Sequence, residues 1–320
     1  MKDSKVPLRL IALLADGISH SGGQLGELLG VSRAAINKYI QIIREWGVNV
    51  FTMPGKGYIL ANPIQLLEVD RILKLLQNKR VIVLPVVNST NQYLLDRIYH
   101  LQSGDASIAE YQQAGRGRRG RQWVSPFGAN LYLSMFWCLK QGSAAAMGLS
   151  LVIGIVIAEV LRSIGAKDVR VKWPNDLYLK GRKLAGILIE MISNSSNMTY
   201  LVIGAGINIA MCSANSDTIN QGWINLQDVG VIIDRNELAA KLLNKLRQSL
   251  KQFESDGLRP FVARWHLLDN FINRPVQLLI GEQQIFGIAR GIDEQGALLL
   301  DQQGIIRPFI GEQISLRDSE

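Results

Sequence analysis

The first 60 residues carry a helical pattern of apolar positions that ends in two short strand-like runs. Apolar residues recur at three- and four-residue spacing over three segments, at about 5–16, 23–29 and 33–47. Ser32 precedes the third segment in a capping position. The apolar stripe of that segment consists of Ile36, Tyr39, Ile40, Ile43 and Trp46. Two strand-like runs then flank a Pro-Gly-Lys-Gly turn at 54–57, so the pattern predicts a winged helix-turn-helix.

The predicted third helix has a second face that is polar and basic. This face consists of Arg33, Asn37, Gln41 and Arg44, and the turn of the predicted wing adds Lys56. Arg, Asn and Gln are side chains that read base edges and phosphates in DNA. The segment holds seven Lys and Arg against four Asp and Glu, so its net charge of +3 is only mildly basic. The pattern therefore favours a DNA-reading unit, with a small helical interaction domain as the alternative.

The middle of the chain alternates strand-like and helical signals. The stretch "LANPIQ" at 60–65 predicts a linker, and an amphipathic helix at about 65–77 follows it. The strand-like runs are "RVIVLPVV", "DASIAEY", "NLYLSMFW", "DVRVKW", "KLAGILIEM" and "TYLVIGAGINI". Further helices are expected at about 90–100, 144–164 and 236–254. This alternation predicts an α/β unit built on a sizeable mixed sheet.

The pattern changes again after residue 270. Five short strand-like runs, separated by turns that contain glycine, indicate a small β-barrel of about 45 residues. The whole chain is thus expected to be an α+β protein with three units, at 1–62, 63–270 and 271–320.

Composition places the chain among globular proteins. Of its 320 residues, 48% are hydrophobic and 19% are charged, and the net charge is +8. The apolar stretch at 144–158 holds no charge, but it is shorter than the roughly 20 residues that a membrane-spanning helix needs. A buried core helix is expected there, and no membrane association. With two cysteines, no CxxC motif and no signal-peptide pattern, the chain is expected to be cytoplasmic.

Residues 115–123, "GRGRRGRQW", combine three glycines with four arginines. The spacing of Gly115, Gly117 and Gly120 formally matches the dinucleotide fingerprint, which must leave a strand and open a helix. Here the "SPFG" that follows does not begin a helix, and no acidic residue stands about 20 positions on. A loop whose N–H groups and arginines bind an anion is the better interpretation. A solvated basic loop and a nucleic-acid contact are the alternatives.

Other polar residues stand where predicted strands end, a usual place for a site on a sheet. They are Ser89 and Thr90 after the first strand of the middle unit, Lys172, Asn175 and Asp176 after a later one, and Lys183 in a hairpin turn. An amide beside a carboxylate suits a Mg²⁺-nucleotide site, and a lysine nearby suits an anion. The structural alternatives are helix capping for the first pair and a simple turn for the others.

Six segments resemble the biotin protein ligases in their order and spacing: "STNQYL", "EYQQAGRGRRGRQW", "SPFGANLYLSM", "VKWPNDLYL", "RKLAGIL" and "IGAGINI". The predicted winged helix in front of them resembles the bifunctional bacterial form, which is both biotin ligase and repressor of the biotin operon. The resemblance covers essentially the whole chain, including a C-terminal SH3-like barrel. One departure is Val124, where close relatives in the family carry an aromatic residue.

This resemblance implies a two-step reaction that uses ATP and Mg²⁺. The biotin carboxylate attacks the α-phosphate of ATP to give biotinyl-5′-AMP, and a lysine of the biotin carboxyl carrier protein of acetyl-CoA carboxylase then takes the biotin. It also implies that biotinyl-5′-AMP is the corepressor and that the adenylate-bound chain is a homodimer on operator DNA. A parallel sheet edge at about 190–200 is the expected dimer contact.

The family motifs also assign roles to individual residues. Catalysis would fall to Lys183, Arg118 and Asp176, and Asp176 would hold the metal. Biotin would be bound by Ser89, Thr90, Asn91, Gln112, Arg116, Gly117, Arg118, Lys183, Gly186, Gly204 and Gly206. ATP and the adenylate would be bound by Arg118, Arg119, Arg121, Trp123, Lys172, Asn175, Asp176, Asn208 and Trp223. The polar face of the predicted third helix and the turn of the wing, rather than these motifs, assign DNA binding to Arg33, Asn37, Gln41, Arg44 and Lys56.

Two other functions stay open at this point. A DNA-binding regulator that only senses biotin would not need Lys183 and Asp176, and both are present. A lipoate-type ligase would share the same core, whereas the polar side chains of Ser89 and Gln112 suit the ureido ring of biotin.

Overall fold

The structure is a computed structural model, and it describes residues 4–77, 80–140, 146, 148–193, 198–212, 219, 222–311 and 314–318. Within these residues the predicted α+β organisation is confirmed. A helical unit with a hairpin is followed by a mixed sheet with helices and then by an antiparallel sheet. Part of the predicted dimer edge, 194–197, lies outside the described residues.

The N-terminal unit forms the helices and the hairpin that the apolar pattern predicts. They are α1 (Lys5–Leu14), α2 (Gly22–Leu29), α3 (Arg33–Glu45), β1 (Val50–Met53) and β2 (Gly57–Leu60). Ser32 caps α3 as predicted, because its hydroxyl accepts the backbone N–H of Ala35 at 3.2 Å. Gly30 ends α2 with a φ of 68°, in the left-handed region that glycine adopts without strain.

An aromatic stack joins this unit to the next one. Trp46, which follows α3, stacks on Phe127 and Tyr111 with ring centroids 5.8 and 5.7 Å away. The Phe127 N–H donates to the carbonyl oxygen of Trp46 at 2.8 Å. The core of the winged helix therefore includes a side chain that lies just beyond the glycine-arginine run.

A seven-stranded mixed sheet occupies the middle of the described chain. Its strands are β3 (Val81–Val87), β4 (Ala106–Gln112), β5 (Asn130–Leu139), β6 (Arg170–Lys172), β7 (Asp176–Leu179), β8 (Arg182–Ser193) and β9 (Thr199–Asn208). They lie in the order β3-β4-β5-β9-β8-β7-β6, with β3 and β4 parallel and the other pairs antiparallel. The pattern does not predict β7, because its four residues stand between a proline and a glycine turn.

The predicted parallel edge at 190–200 is wrong in its direction. β8 and β9 form an antiparallel hairpin over this region, paired from Ala185 to Ser193 on the β8 side. β7 pairs with β8 only as far as Gly186. Among the described residues, the outer half of β8 therefore has one side of its backbone open as a sheet edge.

The remaining helices pack around this sheet. They are α4 (Val69–Leu75), α5 (Thr90–Leu95), α6 (Leu149–Ser163), α7 (Arg235–Asp256) and α8 (Arg259–Leu268). The core helix predicted from the uncharged stretch is confirmed as α6, which is buried along most of its length and packs on α7 and β8. The sequence pattern does not predict α8. No helix in the described part of the chain is long and apolar enough to span a membrane.

The C-terminal unit is an antiparallel sheet made by the five predicted strands. They are β10 (Pro275–Ile280), β11 (Gln283–Ile292), β12 (Leu298–Gln302), β13 (Ile305–Phe309) and β14 (Ile314–Asp318), in the order β13-β12-β11-β10-β14. Its interior belongs to the same apolar cluster as the central sheet. The Trp173 indole N–H also donates to the carbonyl oxygen of Gly296 at 3.1 Å, which ties the two units together.

A buried ion pair holds the linker between the winged helix and the sheet. Arg235 at the start of α7 lies 2.8 Å from Glu110 in β4, and their side chains are only 4% and 5% exposed. Arg235 also donates to the carbonyl oxygens of Gln65 and Asn130, and Glu110 accepts the N–H of Leu67. A buried pair is stable only when such hydrogen bonds accompany it, so the linker backbone is part of the arrangement.

Candidate functional site

Most of the predicted ligand-binding residues line one cleft of about 770 Å³. A cleft of this size is typical of small-molecule sites in proteins. It is bounded by the start of α5, the glycine-arginine segment, the strands of the central sheet and the edge of the C-terminal unit. The predicted residues in its lining are Ser89, Thr90, Asn91, Gln112, Arg116, Gly117, Arg118, Arg119, Arg121, Trp123, Lys172, Asn175, Asp176, Lys183, Gly186, Gly204 and Gly206.

The glycine-arginine segment is a narrow, irregular hairpin at the border of the cleft, which confirms the predicted loop. At its base the Trp123 N–H donates to the carbonyl oxygen of Gly115 at 2.9 Å. A Cβ on Gly115 would lie 2.4 Å from the Trp123 carbonyl oxygen, so this position requires glycine. At the tip, Arg119 and Gly120 have φ angles of 57° and 69°, both in the left-handed region.

Three glycines of the sheet make room for two side chains on the floor of the cleft. A Cβ on Gly206 would lie 2.5 Å from the Trp123 indole, and one on Gly186 would lie 3.0 Å from it. A Cβ on Gly204 would lie 2.3 Å from the amide oxygen of Asn91. The sequence predicts that these glycines let the floor come close to biotin. In the structure, they make room for Trp123 and Asn91.

One end of the cleft holds a chain of buried hydrogen bonds. The Ser89 hydroxyl caps α5, as the structural alternative proposed. Thr90 donates from both its hydroxyl and its backbone N–H to the amide oxygen of Gln112, at 3.1 and 2.9 Å. The Ser134 hydroxyl lies 2.7 Å from the Thr90 hydroxyl and 2.6 Å from the amide oxygen of Asn91. Sequence reasoning missed Ser134, because it stands inside a strand-like run with no motif around it.

Two arginines of the hairpin are held by polar partners outside it. Arg116 lies 2.8 Å from the Glu190 carboxylate and donates to the amide oxygen of Gln92 at 2.9 Å. Arg118 donates to the amide oxygen of Asn175 at 2.6 Å. Glu190 and Gln92 are not among the predicted residues, because a polar side chain in a strand or helix pattern is ordinarily a solvated one.

A lysine–aspartate pair lies elsewhere in the cleft. Lys183 Nζ is 2.9 Å from Asp176 Oδ1, and their side chains are 14% and 19% exposed. The same ammonium lies 5.6 Å from the ring centroid of Trp123, within the range of a cation–π contact. Both contacts direct the lysine across the cleft floor, beside Gly186.

A second lysine lies next to a tyrosine that remains neutral. Lys172 Nζ donates to the Tyr178 hydroxyl at 3.0 Å. Burial raises the pKa of Tyr178, and the neighbouring Asp176 carboxylate raises it further. The phenol therefore stays protonated at neutral pH and does not cancel the charge of the lysine.

The charge of the lining is strongly one-sided. Among its described residues, Asp176 is the one carboxylate, and the cations are Arg116, Arg118, Arg119, Arg121, Lys172, Lys183, Arg274 and Arg317. Arg274 and Arg317 belong to the C-terminal unit, and neither is predicted from sequence, because no motif surrounds them. The excess of positive charge suits a ligand that carries several negative charges.

Two residues predicted to contact the nucleotide lie outside the lining and support Lys183. The Asn208 amide donates to the Lys183 carbonyl oxygen at 3.5 Å, and Trp223 forms an isolated parallel bridge with Lys183. The Lys183 N–H donates to Gly222, and its carbonyl oxygen accepts the N–H of Ile224, each at 3.0 Å. The predicted contact of Asn208 and Trp223 with a nucleotide stays a prediction.

A metal ion in this cleft would have Asp176 as its protein ligand. In the described parts of the chain, no three His, Cys, Asp or Glu side chains come together in a metal-binding group. Mg²⁺ commonly binds to one or two carboxylates together with phosphate oxygens and water. A single aspartate in a cationic cleft therefore fits Mg²⁺ that arrives with a nucleotide.

The predicted DNA-reading face is exposed over most of its length. Its exposed members are Arg33, Asn37, Gln41 and Lys56. Arg44 is half-buried and donates to the Val50 carbonyl oxygen at 2.8 Å and to the Thr52 hydroxyl at 3.2 Å. The Tyr58 hydroxyl donates to the amide oxygen of Asn37. Arg44 and Asn37 therefore hold α3 and the wing in a fixed relation to each other.

Three segments of the chain match described protein families. Residues 8–59 match an HTH domain, and residues 83–208 match the biotin/lipoate A/B protein ligase family. Residues 271–317 match the biotin protein ligase C terminal domain. The three segments correspond to the winged helix, the central sheet and the C-terminal sheet.

Relatives align with the chain over its whole length. It is 67% identical over 320 residues to the bifunctional ligase/repressor BirA of Salmonella typhimurium, with 100% of each chain covered. It is 66% identical, with the same coverage, to the protein of that name from Escherichia coli. A solved structure of biotin protein ligase from Aquifex aeolicus in complex with biotin and ATP has a TM-score of 0.65 at 30% identity, over 75% of this chain and 100% of that chain.

Replacing Gly206 with alanine is expected to lift Trp123 off the floor and to loosen the hairpin. The new Cβ would stand 2.5 Å from the indole. Overpacking of this kind costs about 1–3 kcal/mol. Trypsin should then cut the variant within residues 116–121 faster than it cuts the parent. Gly154→Ala is the control, because its Cβ would lie 3.7 Å from the nearest side chains. Equal cleavage rates for the parent and Gly206→Ala would contradict this account of the floor.

Proposed function

The chain belongs to the family of bifunctional ligase/repressor BirA proteins, and on that premise we propose that it makes biotinyl-5′-AMP from biotin and ATP. It then transfers the biotin to a lysine of a biotin carboxyl carrier protein. The observation that carries this proposal is the cationic cleft, in which a lysine–aspartate pair and a buried polar chain line the same space. A relative whose structure contains biotin and ATP shares this fold over 75% of the chain.

In this proposal biotin binds at the end of the cleft that holds the chain of buried hydrogen bonds. Its ureido ring offers two N–H donors and a carbonyl acceptor, which amide and hydroxyl side chains can match. The residues proposed for this end are Ser89, Thr90, Asn91 and Gln112. The hairpin, with Arg116, Gly117 and Arg118, closes over the carboxylate end, and its N–H groups and guanidinium groups suit an anion.

The first step joins two negatively charged groups. A carboxylate oxygen of biotin attacks the α-phosphorus of ATP, the P–O bond to the β-phosphate breaks, and pyrophosphate leaves. Lys183 and Arg118 stabilise the charge that builds up on the phosphoryl oxygens, as preorganised cations do in other enzymes. Arg119, Arg121, Lys172 and Asn175 are proposed to bind the remaining phosphate oxygens. Asn208 and Trp223 act by keeping Lys183 in place.

Mg²⁺ is proposed to enter with ATP and to bind Asp176. The ion would supply neutralisation of phosphate charge at this end of the cleft. Asp176 is 2.9 Å from Lys183 Nζ, so the aspartate also orients the lysine.

The second step forms no covalent bond to this chain. The amine of a carrier lysine attacks the acyl carbon of biotinyl-5′-AMP, an amide forms, the amine loses a proton, and AMP leaves. The mixed anhydride is sensitive to water, so the closed hairpin protects it until the carrier arrives.

Repression is proposed to use the winged helix and a dimer. Biotinyl-5′-AMP accumulates when no carrier consumes it, and it thereby reports that biotin demand is met. Two copies that pair along the open edge of β8 would present two reading helices to two half-sites of operator DNA. Support comes from the exposure of Met191 and Ile192 on this edge, at 47% and 36%. Arg33, Asn37, Gln41, Arg44 and Lys56 are the proposed DNA contacts.

A lipoate-type ligase is the second candidate, because the matched family is described as including both biotin and lipoate ligases. Lipoate lacks a ureido ring and would leave the polar chain around Gln112 without a matching group. Incubation with ATP and labelled biotin or lipoate, followed by a gel of the carrier, separates the two. A regulator without ligase activity would label neither.

Lys183→Ala is expected to slow adenylate formation on the order of 10²–10³-fold, because the site loses a preorganised charge. The fold should survive, since the lysine side chain lies in the cleft and not in the core. Pyrophosphate release with biotin and ATP is the measurement. Lys167→Ala, at an exposed lysine, is the control and should match the parent. An unchanged rate in Lys183→Ala would remove the basis of the proposed mechanism.

Arg33→Ala/Gln41→Ala is expected to weaken operator binding while leaving biotin transfer intact. Each base-reading contact typically contributes about 1–3 kcal/mol, so the double variant should bind at least tenfold less tightly. Gel-shift titration on DNA upstream of the biotin-synthesis genes is the measurement. Lys5→Ala, which removes an exposed cation from α1, is the control. Parent-like binding by the double variant would show that α3 does not read DNA.

Biotinyl-5′-AMP is expected to strengthen dimerisation, and Ile192→Lys is expected to weaken the dimer again. A lysine on an open strand edge opposes edge-to-edge pairing. Sedimentation equilibrium of both proteins, with and without the adenylate, is the measurement, and pyrophosphate release checks that the variant is active. The β8 interface would be contradicted by a dimerisation constant that does not change when the adenylate is added, or that is the same for the parent and Ile192→Lys.

A further inference from the structure

Glu190 lies in β8 and links two residues of the cleft without lining the cleft itself. Its Oε2 atom accepts a hydrogen bond from the Asn91 amide at 2.7 Å and lies 2.8 Å from Arg116 Nη2. The Arg116 and Glu190 side chains are 35% and 27% exposed, so the pair is only partly shielded from water. One carboxylate oxygen thus joins the hairpin to the start of α5.

From Asn91 the contacts continue through the buried chain and return to the hairpin. Ser134 lies within hydrogen-bond distance of both Asn91 and Thr90, and Thr90 donates to Gln112. The Gln112 amide donates to the Ser125 hydroxyl at 2.9 Å. That hydroxyl lies 3.0 Å from the carbonyl oxygen of Trp123, at the far end of the hairpin. This series of hydrogen bonds therefore starts at Arg116 on one side of the hairpin and ends at Trp123 on the other side.

The Asn91 amide has little capacity left for a ligand. Its nitrogen donates to Glu190 and, at 3.3 Å, to the carbonyl oxygen of Leu188. An amide nitrogen has two hydrogens, so both are used inside the protein. Asn91 therefore orients its neighbours through Glu190, and its predicted contact with a ureido N–H is limited to its oxygen.

The charge of Glu190 has a specific use in this position. Arg116 stands in a hairpin with three other arginines, and their mutual repulsion opposes closure. Asp176 is already paired with Lys183. Glu190 is thus the carboxylate that offsets the charge of the hairpin at its first arginine.

We infer that Glu190 is a positioning residue, which holds the hairpin closed through Arg116 and connects that closure to the biotin end of the cleft through Asn91. This inference rests on the proposed ligase function. Glu190 does not reach the reacting atoms, so it acts on ligand retention and not on the chemical step. A loss of retention raises KM, whereas a loss of transition-state contacts lowers kcat.

The test compares Glu190→Gln with the parent in the full-length chain. Glutamine keeps the shape and a hydrogen-bond acceptor but removes the charge. We expect the KM for biotin and the release rate of biotinyl-5′-AMP to rise about 3- to 10-fold, with kcat for pyrophosphate release changed less than about twofold. Trypsin should also cut residues 116–121 faster in the presence of biotin.

Glu159→Gln is the matched control for the loss of a partly exposed ion pair. Glu159 pairs with Arg264 at 2.6 Å, between α6 and α8, with side chains 42% and 31% exposed. This variant should leave KM and trypsin cleavage unchanged. Melting curves of both variants show whether either change only reflects lost stability.

A double-mutant cycle with Arg116→Ala identifies the partner. If Glu190 acts through Arg116, adding Glu190→Gln to Arg116→Ala should raise KM only slightly further. The small remaining rise would come from the loss of the hydrogen bond to Asn91. Fully additive effects, a fall in kcat without a rise in KM, or parent-like values in Glu190→Gln would each overturn the inference. The Lys183→Ala result is independent, so a failure here with a slow Lys183→Ala leaves the ligase function in place.

Discussion

Repulsion among like charges is the constraint on which the cleft depends. Four arginines stand within six positions of one hairpin, and two lysines and two further arginines join them in the lining. In water this cluster would spread, because each unpaired cation raises the energy of its neighbours. The fold limits this repulsion by pairing Arg116 with Glu190 and Lys183 with Asp176. A hydrogen bond to the amide oxygen of Asn175 fixes the position of Arg118. The lining still carries an excess of positive charge, which suits an anionic ligand.

The sheet can carry this cluster because its floor is rigid and has no side chains at three points. Gly186 in β8 lies opposite Gly206 in β9, and Gly204 lies two positions before Gly206 on the same strand. Trp123 and Asn91 pack into the space that these glycines leave. The hairpin is thus packed against regular strands, and positions on regular elements are held more precisely than positions on loops.

Local chemistry could be predicted from the sequence, whereas contacts between distant segments could not. The cap at Ser32, the core helix α6 and the loop nature of the glycine-arginine run depend on neighbouring residues, so the pattern contains them. Glu190 and Arg317 give no such signal, because one is a polar residue in a strand and the other lies almost two hundred residues from the hairpin. The direction of the edge near residue 190 was missed for the same reason: strand pairing depends on partners that a single run does not reveal.

The resemblance to a family supplied residue roles, but it did not supply the reasons for them. Asn208 stands in a family motif and Trp223 is assigned by the resemblance, yet both contact Lys183 and neither lines the cleft. Ser89 also matches, and its hydroxyl is used as a helix cap. A motif therefore records which residues the site needs, and only the contacts tell whether a residue touches the ligand or holds another residue in place.

The buried pair between Arg235 and Glu110 connects the linker of the winged helix to the sheet that carries the cleft. Glu110 and Gln112 lie on one short strand, so the strand that binds the linker also carries an amide of the cleft. The carbonyl oxygen of Glu110 accepts the N–H of Gly128, where the segment after the hairpin rejoins the sheet. A Cβ on Gly128 would lie 2.5 Å from Ile64 of the linker, so linker and hairpin segment are in direct contact. The segment after the hairpin and the base of the winged helix are therefore joined by close contacts, and close-packed interiors of this kind transmit strain.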